Sequence, residues 1–211
     1  MTKLQPLKSN YLASLEKIID EVIAGYETDN AFQFRLEILE AVAARFGGFD
    51  LGVFHHAFGI NPHIPVLELI KIAEPIASSI ENTTVHYSLI LSTLSREVLY
   101  EHDRKSTGAY HTDFRLASRL AELAAADLTH QSSVIDPACG AGILLVALTL
   151  AVCGADRTKT AHWFSHGVCA ADLSPNSMRA ALLSLASLTD NVNSLVKMRK
   201  RWFCGDSLLA D

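Results

Sequence analysis

The apolar positions follow two regimes along the chain. Between Tyr11 and Tyr26 they recur at Leu12, Leu15, Ile18, Ile19, Val22 and Ile23, the spacing of one buried helical face. A second helical pattern runs through Phe32, Phe34, Leu36, Ile38, Leu39 and Val42, with Asp29 or Asn30 as its cap and Gly47-Gly48 as its stop. The Gly59 to Pro65 stretch reads as a loop. A third helix is expected from about Val66, kinked or broken near Pro75, and a fourth over roughly residues 84–102. After that the pattern alternates. A helix is predicted over residues 113–126 and a strand over 133–136. A helix follows at 142–153, a strand at 167–172, a helix at 175–188 and a last strand at 200–205. This order predicts an α/β fold: a helical N-terminal region, residues 1–103, followed by the first half of a doubly wound parallel sheet, residues 104–211.

Composition narrows the class. About half of the 211 residues are hydrophobic, enough for a substantial core. The longest apolar run, Ile143 to Cys153, is too short to span a bilayer, and the N-terminus lacks a signal-peptide core. No membrane role is expected. Cys139, Cys153, Cys169 and Cys204 show no paired spacing and sit in apolar runs, which suits buried reduced thiols in a cytoplasm. The net charge is −5 and no half is basic overall, so a strong grip on nucleic-acid phosphates is not expected from this chain itself.

The chemistry concentrates at strand ends, where open α/β sheets hold ligands. Asp136, Asp172 and Asp206 each end a predicted strand. Between the first strand and its helix lies Pro137-Ala138-Cys139-Gly140-Ala141-Gly142, almost all small residues. Gly140 and Gly142 permit close backbone approach and positive φ. The helix that follows aims free N–H groups at the loop, a setting that favours an anion such as a carboxylate. No Gly-Lys-Ser/Thr follows, so this is not a phosphate loop, and the third glycine of a dinucleotide fingerprint is missing. Asp172 can accept both hydroxyls of a ribose, and Asp206 can accept from an adenine amino group. An adenosine with a carboxylate-bearing tail fits this set, and S-adenosylmethionine (SAM) is such a molecule.

Four segments together resemble a known family. Asp136 to Gly142 (DPACGAG) is similar to the SAM loop of the N6-adenine (amino) DNA methyltransferases. Arg104 to Thr112 (RKSTGAYHT) resembles the segment that precedes that loop in the subgroup holding type I modification subunits and large fused restriction-modification or phage-defence methylases. Gly167 to Asp172 with Pro175-Asn176 resembles the second motif, and Gly205-Asp206-Ser207-Leu208 the third. The resemblance covers about residues 104–208, in the family's order. It implies that Tyr110, His111 and Thr112 lie beside the methionine end, with Thr112 facing its carboxylate and also suited to cap the next helix. It implies that Asp136, Ala138, Cys139, Gly140 and Gly142 line methionine and ribose, that Asp172 holds the ribose and Asp206 the adenine, and that Ser207 and Leu208 flank the adenine ring. Three departures are small: Asp113 stands where the family has proline, His111 replaces an aromatic residue and Ala141 a serine. One is large. The catalytic Asn/Asp-Pro-Pro-Tyr/Phe motif is missing, because the chain has no Pro-Pro pair. No catalytic residue is therefore assigned.

Other conspicuous residues receive plainer readings. Cys139 has no basic neighbour in sequence and reads as packing. His162 and His166 have helical spacing but no HExxH around them, so they read as solvated or core histidines, as do His55, His56 and His63, and no metal site is assigned. Lys197, Arg199, Lys200 and Arg201 read as a solvated strand edge. The leading expectation is the N-terminal, SAM-binding portion of a site-specific adenine-N6 DNA methyltransferase. It would be inactive alone, bind SAM weakly or not at all, and reach DNA and a specificity or restriction subunit through parts outside this chain. The alternatives are a non-catalytic SAM-binding or subunit-interaction module, or a methyltransferase acting on RNA or protein.

Overall fold

The structure, a computed structural model, describes residues 9–97 and 111–207. Among these, helices dominate. Helix α1 spans Ser9–Ala24, α2 Ala31–Gly47, α3 Leu51–Phe58, α4 Val66–Glu81 and α5 Tyr87–Leu94. After the undescribed stretch come α6 (Phe114–Ala124), β1 (Val134–Asp136), α7 (Ile143–Cys153), α8 (Arg157–His166), β2 (Val168–Asp172), α9 (Pro175–Ala186), α10 (Val192–Arg199) and β3 (Phe203–Cys204). The fold is mixed α/β, mostly helical, around one small sheet.

The helix ends follow local chemistry. Asn30 caps α2 by accepting from the Gln33 N–H, and Gly48 closes it in the left-handed region at φ +80°. Three helices escaped the sequence reading: α3, α8 and α10 are only eight to ten residues long. Each nevertheless carries a side-chain cap: Asp50 on Val53 N–H, Asp156 on Lys159 N–H and Asn191 on Ser194 N–H. Pro75 does not break α4, which runs unbroken through it. The expected fourth helix ends at Leu94, and its continuation past Glu97 lies outside the described residues.

The sheet is parallel with order β1-β2-β3. In register, Ile135 pairs with Cys169 and Ala171 with Phe203, so these four share one face. Ile135 is 70% and Phe203 46% exposed at the two edges of that face, while Ala171 at its centre is buried. This is a small three-stranded parallel sheet, not a full doubly wound sheet. The third strand is shorter than predicted. Its expected start is the end of α10, and the basic cluster there is not a strand edge. Arg201 instead donates to the carbonyls of Phe164, Ser165 and Val168, fastening the end of α8 to the start of β2.

One hydrophobic core runs from Leu15 on α1 to Trp202 before β3. A polar junction crosses it where α2 meets α9. Arg179 donates to both oxygens of Glu40, at 2.6 and 2.8 Å, and Glu40 is fully buried. His55 Nε2 lies 3.0 Å from the same carboxylate. Burial opposes the Arg179 charge, but the hydrogen bonds and charge of Glu40, with Glu37 nearby, hold its pKa above the ordinary value. Arg179 also reaches Gln33, which donates to Asn176, which in turn donates to Glu97.

Deleting one partner of a buried charge pair strands the other, so Glu40→Ala should cost about 3–5 kcal/mol of unfolding free energy, read from a urea midpoint. A loss below ~1 kcal/mol, the range of an exposed pair, would contradict this role.

Candidate functional site

The loop after β1 is built by backbone bonds and two left-handed glycines. Cys139 N–H donates to the Ala171 carbonyl at 2.9 Å, and Gly142 N–H to the Cys139 carbonyl at 2.8 Å. Gly142 begins α7 at φ +79°, and a Cβ there would lie 3.0 Å from both Cα and Cβ of Ala181 on α9. Gly142 thus lets two helices approach closely. Gly140 differs: at φ +51°, a Cβ there would meet nothing within 4 Å among the described residues.

Asp172, at the end of β2, ties this loop down. One carboxylate oxygen accepts the Gly140 N–H at 2.8 Å, and the other accepts the Ser174 N–H at 2.9 Å. A carboxylate offers about four lone-pair positions, so acceptor capacity remains. Ser174 in turn caps α9, with Pro175 at its first position. From the third strand, Gly205 N–H donates to the Asp172 carbonyl and Ser207 Oγ to the Pro137 carbonyl at 2.9 Å. The ends of all three strands therefore meet, bringing together Asp136, Ala138, Cys139, Gly140, Gly142, Asp172, Asp206 and Ser207. Ser207 spends its hydroxyl on the loop, and Asp206 is exposed beside it.

Asp136 is the electrostatic oddity of the group. One oxygen accepts the Ala138 N–H at 3.2 Å, while Oδ2 is buried and, among the described residues, has no hydrogen-bond partner. Burial, and then the charge of Asp172, raise its pKa above the ordinary carboxylate value. Burial, followed by Asp172 and Asp136, also pushes the Cys139 thiol far up. With its sulfur packed 3.8 Å from that of Met178, Cys139 is a packing residue and not a nucleophile. Cys204 departs from the expectation of buried thiols, being exposed.

On the segment before α6, Tyr110 lies outside the described residues, as does Leu208 after β3. His111 is exposed and Thr112 half-buried. Thr112 is not the helix cap. Asp113 takes that place, accepting the Arg115 N–H at 2.9 Å, because its carboxylate is both a better-placed acceptor and an anion at a helix start. The Thr112 carbonyl accepts from Arg96 at 2.7 Å, and the Ala141 carbonyl from Ser92 at 2.8 Å. Neither Ser92 nor Arg96 was read as a site residue. Their partners are distant in sequence, and no local pattern announces such bonds.

Other clusters lie elsewhere. An open depression of about 410 Å³ is lined by Arg157, His162, His166 and Asp190 among others, and shares no residue with the strand-end loops. His162 and His166 are exposed on α8, and His55 and His56 belong to α3. Among the described residues, no group of three or more His, Cys, Asp or Glu is placed to hold a metal ion. Among them too, no helix is long and apolar enough to cross a membrane.

No known family model matches the sequence, and no curated protein matches it. Among solved structures, the chain is similar to a protein from Vibrio vulnificus YJ016 described as the modification subunit of a type I restriction enzyme, at 15% identity and a TM-score of 0.41. That overlap covers 97% of this chain and 57% of the other, so the chain spans little more than half of that protein's length.

Two expectations follow from the loop. Gly142→Ala, strained and in contact with Ala181, should cost about 2–4 kcal/mol, while Gly140→Ala, strained only, should cost about 1 kcal/mol. Equal losses in thermal unfolding would contradict the close approach at Gly142. For Asp136, the raised folded-state pKa favours the protonated form, so its contribution is present below the unfolded pKa and is lost as pH rises through the folded value. Asp136→Asn should therefore be more stable than the parent at neutral pH, with the gap closing as pH falls toward the carboxylate range. A gap that widens toward acid would contradict it.

Proposed function

We propose that the strand-end loops form a SAM site, and that this chain supplies the methyl-donor side of an adenine-N6 DNA methyltransferase. The observation that carries the cofactor reading is the buried Oδ2 of Asp136, unpartnered among the described residues, near the open backbone of Gly140. A ligand that bears an ammonium group and fits against bare backbone suits that pair. The N-terminal end of α7 favours a carboxylate on the same ligand. Asp172 keeps acceptor capacity for ribose hydroxyls, and exposed Asp206 suits an adenine amino group. The ordered motifs from Arg104 to Leu208 support the family reading. Tyr110, His111 and Thr112 would flank the methionine end, and Ser207 and Leu208 the adenine.

SAM supplies an electrophilic methyl group on a sulfonium. The chain's residues bind and orient it: Gly140 allows close approach of the ligand while Gly142 lets α7 pack on α9, Asp172 fixes loop and ribose together, and Asp136 offers one carboxylate oxygen unpartnered among the described residues. Methyl transfer to an exocyclic amine depends mainly on alignment and on an acceptor for the amine protons. The acceptor motif is not in this sequence, so target adenine, DNA contacts and any specificity or restriction subunit belong, in this proposal, to parts outside it.

The sequence alone leaves SAM binding weak or absent; with the strand-end loops assembled, calorimetric titration with SAM should give weak but saturable binding, which Asp206→Ala weakens by about 1–2 kcal/mol through the lost acceptor. Binding unchanged by that substitution would remove Asp206 from the site, and no binding at millimolar SAM would overturn the reading.

A further inference from the structure

Helix α5 supplies no residue to the site as read from sequence, yet the stretch from Ser92 to Glu97 touches three parts of it. Ser92 is fully buried and donates to the Ala141 carbonyl, inside the glycine loop. Helical hydroxyls commonly turn back on the carbonyl four residues earlier, as Thr93, Thr149 and Ser184 do here. Ser92 instead reaches across to the loop. Just past the cap residue Ser95, Arg96 donates to the Thr112 carbonyl at 2.7 Å. Glu97 accepts from Asn176, the second residue of the helix that Asp172 and Ser174 introduce. Six consecutive residues thus reach the loop after β1, the first turn of α9 and the segment before α6.

The Arg96 contact is the most exacting. Its guanidinium is half-buried, and burial pulls its pKa below the ordinary value against the opposing influence of Asp113 and Glu16. A charged donor placed there gives a strong, directional bond to a neutral carbonyl. Ser92 fixes the facing wall through Ala141.

We propose that Arg96 is a positioning residue: with Ser92 it sets the separation between His111-Thr112 and the glycine loop, and so governs recognition of the amino-acid end of the ligand. This rests on the SAM reading above. Arg96 touches no ligand atom in this account; it acts through the Thr112 backbone.

The test compares S-adenosylhomocysteine with methylthioadenosine, which keeps adenosine and sulfur but lacks the amino-acid end. Arg96→Gln should weaken S-adenosylhomocysteine about tenfold and leave methylthioadenosine within about twofold. Arg96→Lys, which keeps a cationic donor, should recover most of the loss. Ser92→Ala should show the same selectivity with a smaller effect, and serves if Arg96→Gln does not fold. Asp206→Ala, at the adenosine end, should weaken both ligands alike. Equal weakening of both ligands by the Arg96 variants, or of neither, overturns the positioning role while leaving the SAM reading intact. A parent chain that binds neither ligand overturns the SAM reading, and this inference with it.

Discussion

The Asp172 carboxylate accepts two backbone N–H groups from separate segments, Gly140 after the first strand and Ser174 after the second. Strand pairing alone aligns β1 and β2 only as far as Asp136 and Ala170. Beyond that point the loop has no ladder, and its two left-handed glycines leave it many alternatives. Asp172 selects one of them, and the Cys139 and Ser207 bonds follow in the same place. The arrangement has an electrostatic consequence: it keeps a second carboxylate, Asp136, close by with one buried oxygen unpartnered among the described residues. A site with a fixed shape and an unsatisfied charge is what a cationic ligand group would complete.

The helical region is part of this construction. The core is continuous from α1 to the residue before β3, and Arg179 carries a buried ion pair across it to Glu40. The chain from Arg179 through Gln33 and Asn176 to Glu97 places the start of α9 against the end of α5. Ser92 and Arg96 then extend the same scaffold to the loop and to Thr112. Helices that precede the sheet in sequence therefore hold the walls of the candidate site from behind.

Much of the fold was legible because its cues are local. Asn30 and Gly48 bound α2 as their chemistry implies, and the strand, small-residue loop and helix from Val134 to Cys153 form where the pattern places them. The short helices α3, α8 and α10 lack the length for a clear period, although Asp50, Asp156 and Asn191 were signals of their starts. Pro75 marks no break, because α4 continues through it. The basic residues before β3 looked like surface charge, yet Arg201 fastens three carbonyls of a neighbouring segment. The ribose assignment proposed for Asp172 comes from its place at a strand end; its observed hold on Gly140 depends on a partner 32 residues away. Tertiary partners of that kind leave no trace in periodicity.

The most direct test of the site's location is amide mapping of the isotope-labelled chain by NMR as SAM is added. The account predicts that perturbations gather on Ala138, Cys139, Gly140, Gly142, Asp172 and Asp206, with Arg157 to His166 unaffected. Perturbations confined to the depression around His162 and Asp190, or spread without focus, would contradict it.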